Sequence, residues 1–153
     1  MAIQPRIRVL FEDVFPDGAL MRGEVAAVED FDALQAARAA GREPGDIQLR
    51  DKVTGLRVWE VRVVDLDENA RKGQGEVTVK ISADVQPVPP PKPDGQKLRP
   101  VEFENLTATA WIDDRGSRPN IAWSYRADAV RAPGTKSVSG SSNGQRQPEK
   151  GAA

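Results

Sequence analysis

Asp51-Lys52-Val53-Thr54-Gly55-Leu56-Arg57-Val58-Trp59-Glu60-Val61-Arg62-Val63-Val64-Asp65-Leu66-Asp67 is the stretch that decides the fold. Thr54-Gly55 is a turn signal, and after it the chain alternates. Arg57, Trp59, Val61 and Val63 point one way; Val58, Glu60, Arg62 and Val64 point the other. A period of two, rich in β-branched residues and carrying one aromatic, is the pattern of a half-buried strand. It reads as the central strand of a small all-β domain.

On its N-terminal side, Met1 to Pro16 reads as an arm. Its apolar pieces, Ile7 to Phe11 and Val14-Phe15, suit an edge strand or a hooked lead-in. Pro16-Asp17-Gly18 is a turn, because proline fixes φ and glycine accepts positive φ. Ala19 to Phe31 reads as the first full strand. The alanine-rich run Ala33 to Glu43, with Asp32 as N-cap, has only Leu34 as a large apolar residue. With so little to bury, the insert over residues 33–45 is a short exposed helix or a loop. Ile47 to Arg50 reads as a short strand.

On the C-terminal side, residues 68–75 form a polar loop with a basic tip. Glu76 to Val85 then alternates again, with Val77, Val79, Ile81 and Ala83 on one face. Residues 87–100 hold six of the chain's 12 prolines and read as an extended connector without ladder bonds. The plain role is a stiff crossover; the sharper one is a proline-rich ligand for a partner's aromatic groove. Val101 to Ile112 and Asn120 to Val130 make the last hairpin. Residues 132–153 are almost without apolar side chains and are expected to be a disordered tail. The sum is one domain over residues 1–131. It is expected to be a five- to six-stranded barrel of the oligonucleotide-binding (OB) type, with a β-sandwich left open and strand order unspecified.

Composition narrows the chemistry. The 153 residues include no cysteine and no histidine, so thiolate metal sites and Ser-His or Cys-His nucleophiles are excluded. The acids are scattered among bases on strands and turns, which disfavours a carboxylate-only site. Gly73-Gln74-Gly75 lacks the following helix and the ending of a phosphate loop. No catalytic residue, metal ligand or cofactor site is therefore assigned, and the chain reads as a non-enzyme. Net charge is -1, from 22 basic and 23 acidic residues, which argues against a polybasic binder but allows a local basic groove. No run approaches the ~20 apolar residues of a membrane span. The N-terminus lacks a signal-peptide pattern, so a cytoplasmic protein without membrane contact is expected.

Four of the eight aromatics lie on the best strands: Trp59, Trp111, Trp123 and Tyr125. Near them lie Arg57, Arg62, Lys80, Arg115, Arg118 and Arg126. Aromatic platforms beside cations are what single-stranded nucleic acid requires, a π-face for each base and a positive charge for each phosphate. Against this, Trp59, Trp123 and Tyr125 share faces with valine or isoleucine and so read as core. Trp111 shares its face with Thr107 and Thr109 and is the best stacking candidate. The candidate nucleic-acid-binding set is Trp111, Arg115, Arg118, Arg126, Trp59, Arg57, Arg62 and Lys80.

Three blocks taken together resemble a known family: F-E-D-V-F-P-D-G-A-L with G-E-V; the central stretch quoted above; and R-P-V-E-F-E-N-L-T-A-T-A-W-I with S-Y-R-A. Over about residues 1–133 the chain resembles the plasmid replication, integration and excision activators of actinobacterial plasmids and integrative conjugative elements. The resemblance implies a role in replication, excision or maintenance of a mobile element, and it transfers no site residues. Three physical routes stay open. The first is binding of single-stranded DNA by an OB-like surface. The second is transcriptional activation on duplex DNA, for which no helix-turn-helix pattern is present. The third is a protein-interaction module that recruits the element's replication initiator. A homo-oligomer also stays open, though no heptad repeat argues for one.

Overall fold

The computed structural model describes residue 2 and residues 4–134. In chain order its elements are β1 (Ile7–Arg8), α1 (Phe11–Val14), β2 (Ala19–Ala27), α2 (Phe31–Ala39), β3 (Val58–Asp65), β4 (Glu76–Ser82), β5 (Arg99–Glu104), β6 (Thr107–Asp113), β7 (Asn120–Ala127) and β8 (Ala129–Arg131). The molecule is mainly β, as the alternation predicts. Its eight strands form one curled half-barrel sheet in the order β1-β6-β7-β4-β3-β2-β5-β8.

The central stretch is a strand as read, but it is buried on both faces at its start, where Val58 on the opposite face is also fully buried. Val61 and Val63 are fully buried in the core, with Trp59 packed against it. Strands β2, β3 and β4 form an antiparallel meander in which Met21, Val63 and Val77 stand side by side. Both outer sides of this meander are occupied by one long hairpin. Its first strand pairs with β2 through β5 (Ala19 opposite Val101), and its second pairs with β4 through β7, in parallel (Val79 beside Tyr125). The sheet therefore curls round a single core that includes Phe15, Met21, Val61, Val79, Ile81, Phe103, Leu106 and Val130.

The expected count of five or six strands is corrected to eight, because the N-terminal arm contributes β1 and the last hairpin bends, which divides each of its strands in two. Val101 and Phe103 face the core, then Leu106 and Ala108 do, so the inward parity switches at Asn105. Its partner strand switches too, from Ala127 to Val130. The register does not slip, since Glu104 pairs with Ala129 and Thr107 with Arg126 on either side of the break. The corner is held by Asn105, at a left-handed φ of 50°, whose Nδ2 donates to Asp128 Oδ2 at 2.8 Å. Asparagine tolerates that conformation better than most residues.

Three smaller expectations also shift. The alanine-rich insert is a helix, but it begins at Phe31 and is capped by Asp30, not Asp32; Asp30 Oδ1 accepts from the amides of Asp32 and Ala33. Ile47 to Arg50 is no strand, only the isolated bridges Glu29–Gln48 and Arg50–Arg57. The first full strand stops at Ala27 rather than Phe31. The proline-rich connector does lack strand structure up to residue 98, after which Arg99 and Pro100 enter β5. The tail expected over residues 132–153 lies, from residue 135 on, outside the described residues. No helix among the described residues is long and apolar enough to cross a membrane.

Away from the core, the loop preceding β3 is stapled to the sheet by Asp51, which is 2% exposed. Its carboxylate accepts from Arg6 Nη1 at 2.9 Å, Ser82 Oγ at 2.8 Å and Arg126 Nη1 at 3.2 Å. One buried acid thus ties the N-terminal arm, β4 and β7 together.

Candidate nucleic-acid interface

Residues opposite one another in a ladder project from the same sheet face. Arg8 lies opposite Thr107, Thr107 opposite Arg126, and Arg126 beside Lys80. Three cations therefore share one transverse row on the face away from the core. Arg62, opposite Thr78 on β4 and Arg22 on β2, stands on the same face one step along. Trp111 projects from that face as well, in phase with Thr107 and Thr109, and is 39% exposed.

Four of the eight candidate residues, Trp111, Arg126, Lys80 and Arg62, are thus brought to one face. Arg115 and Arg118 lie in the β6–β7 turn at its margin. Two candidates do not join. Trp59 is on the core-directed side, its Nε1 donating to Ala83 O at 2.9 Å. Arg57 is held by Asp46 at 2.6 Å, a contact that lowers the Asp46 carboxyl's pKa and raises that of the guanidinium.

The cations are not equally available. Arg126 is engaged by Asp51, and burial pulls its pKa down, with the charge of Arg6 adding to the effect. Arg115 is chelated by Asp113 through Nε and Nη2, both at 2.9 Å, and its side-chain hydrogen bonds hold the Asp113 carboxyl at about 2. Its guanidinium lies 5.5 Å above the Trp111 ring centroid. With its charge answered by Asp113, Arg115 serves to steady the indole. Arg8, Arg62, Lys80 and Arg118 make no side-chain ion pair among the described residues.

Beside this face the sheet splits. Strands β4 and β7 pair only over Val79–Ile81 with Tyr125–Ala127, and beyond that they diverge. The resulting slot of about 1270 Å³ is lined by the 67–74 loop, Glu76 to Thr78, Trp111, and Ile121 to Tyr125. Four acids (Asp65, Asp67, Glu76, Asp113) and four cations (Arg71, Lys72, Lys80, Arg115) surround it. The Tyr125 hydroxyl, at its base, has its pKa raised by burial and then by the charge of Asp65. Among the described residues no three acidic side chains gather as a metal ion would need.

One functional candidate was misread from sequence. Trp123 belongs to the core-facing side of β7, yet it is 48% exposed, and its neighbours Ile121 and Ile112 are each 71% exposed. Alternation reports the face a residue takes, not how far along the strand the core extends. The available signal was position: Ile112 and Ile121 flank the polar turn, where a hairpin outruns its support.

No family model, curated protein or solved structure matches the chain. Fold and surface define its class: a mainly-β domain with a curled sheet, presenting a bent hairpin whose two faces differ. One face carries Trp111 among cations; the other is apolar.

Proposed function

We propose that this chain is a non-enzymatic activator of replication, integration and excision of a plasmid or integrative conjugative element. In this reading it acts in the cytoplasm by binding single-stranded DNA on the outer face of an OB-like half-barrel. The observation that carries the reading is the exposed Trp111 on the same face as Arg8, Arg62 and Lys80. A ring steadied by Arg115 offers a base one stacking surface, and the unpaired cations beside it suit the adjoining phosphates. The sequence blocks that resemble the mobile-element activators supply the biological setting.

Anisotropy of labelled oligo-dT, measured across salt and against duplex of equal length, tests this. Single strand should bind better than duplex, with a log–log salt slope of roughly -2 to -3 if three or four phosphates are neutralised. Trp111→Ala should cost about 1–3 kcal/mol of binding. The double reversal Arg62→Glu with Lys80→Glu should lower affinity at least tenfold. Preference for duplex would favour transcriptional activation, and no binding to either would defeat direct DNA contact. A second reading, recruitment of the element's replication initiator, is favoured by the equal acids and cations round the slot. Protein interfaces tolerate such a mixed rim and nucleic acid does not. A pull-down between the purified proteins separates it from the first.

A further inference from the structure

Beyond the last β4–β7 pair, the core-directed face of the hairpin continues as an apolar strip of Ala110, Ile112, Ile121 and Trp123. Nothing among the described residues covers it. Elsewhere the chain exposes a second apolar feature, Pro87-Val88-Pro89-Pro90-Pro91-Lys92-Pro93, in which Val88 is 86% exposed. Proline fixes φ, so such a run favours the polyproline helix of three residues per turn. Pro87, Pro89 and Pro90 are half-buried, whereas Val88, Pro91, Lys92 and Pro93 are exposed. The segment is pinned at two points, since Arg99 Nη1 donates to Pro90 O at 3.1 Å and Gln86 Nε2 to Val25 O at 3.2 Å. The outer ridge, Val88 and Pro91 followed by exposed Lys92, is therefore presented already ordered, which reduces the entropy lost on binding.

Aromatic-lined grooves receive such ridges, and a carboxylate at the rim suits a trailing cation. The slot offers that chemistry: Trp123 and Tyr125 on one wall, with Asp65 and Asp67 beside them. The chain's own segment does not occupy it. The connector leaves from Ser82, whereas the slot opens toward Glu76 at the other end of β4, and the bonds of Gln86 to Val25 O and of Arg99 to Pro90 O hold the connector along β2 and β5 instead. We propose that the Val88–Lys92 ridge of one copy docks in the β4/β7 slot of a second copy, against Trp123 and Ile121 and with Lys92 toward Asp65. This contact centres on the apolar hairpin face, but Trp111, Arg115 and Lys80 also line the slot, so it would compete with DNA for part of the same surface.

Sedimentation equilibrium of the full chain tests it. The wild type should self-associate reversibly, with a dissociation constant between about 1 μM and 1 mM. Val88→Ser with Pro91→Ser, and separately Trp123→Ser, should each leave a folded monomer, checked by unchanged urea midpoints. Mixing the two variants should restore association, because one copy keeps an intact ridge and the other an intact slot. A synthetic peptide of residues 86–94 should dissolve the wild-type complex. A wild type that stays monomeric to about 1 mM overturns the proposal. So does self-association indifferent to Val88 and Pro91, or a mixture of variants that stays monomeric.

Discussion

Asp51 is the residue on which the most structure converges. Burial alone would push its carboxyl pKa up. The hydrogen bonds from Arg6, Ser82 and the Val53 and Thr54 amides outweigh that and hold it well below the usual carboxylate range. A folded pKa below the unfolded value of about 3.9 gives stability that is full above about pH 5 and lost as pH falls through the folded value. Asp51→Asn should cost about 3 kcal/mol at pH 7, because it strands two guanidinium groups. It should also flatten the loss of stability between pH 5 and 2; urea melts at both ends of that range measure it. Asp113 provides a local counterpart at the surface. Its carboxyl carbon should titrate by NMR with a midpoint of about 2, and Arg115→Gln should return it toward the ordinary range. At this scale the sequence spoke unevenly. Trp111 is legible as outward-facing because its face-mates Thr107 and Thr109 are polar, whereas Trp123 shares its face with Ile121, Tyr125 and Ala127, of which only Ala127 is fully buried.

The bent hairpin and the small helix α2 carry the element-scale tests. Asp30→Ala removes the side-chain acceptor of two helix amides and should cost about 1 kcal/mol in thermal or urea denaturation. Asn105→Val forces a β-branched residue into the left-handed region and breaks the bond to Asp128, and about 2 kcal/mol should be lost. Asn105→Gly restores the backbone freedom, so it should recover part of that loss in the same assay. The central meander was readable because β3 and β4 alternate without interruption. The corner was present in the sequence too, in the step from Val101 and Phe103 to Leu106 and Ala108, but an inward parity that changes midway is masked by continuous β-propensity. The slot had no signal, because it arises where β4 and β7 stop pairing, and the alternation of each strand continues past that point.

For the whole molecule, strand order was the illegible quantity. Side-chain alternation says which face a strand buries and is silent about its neighbours; here β4 lies beside β7, and β2 beside β5, across long stretches of chain. Such non-local pairing should make folding slow for the size, in milliseconds to seconds, as stopped-flow refolding followed by tryptophan fluorescence would register. A faster, microsecond phase accounting for the full amplitude would contradict it. The hairpin that flanks both sides of the meander has a mechanical consequence. It acts as a clasp, and Glu102 and Arg131 lie opposite one another at the β5–β8 end. Tension drawn between those two residues would part the rungs one at a time from β8 inward, at low force, and the corner at Asn105 would be the first point of resistance. Tension drawn along β3 would load many rungs at once. The molecule is thus weak in one pulling direction and strong in another, and a helicase, protease or translocating motor that grips the C-terminal end would meet the weak one.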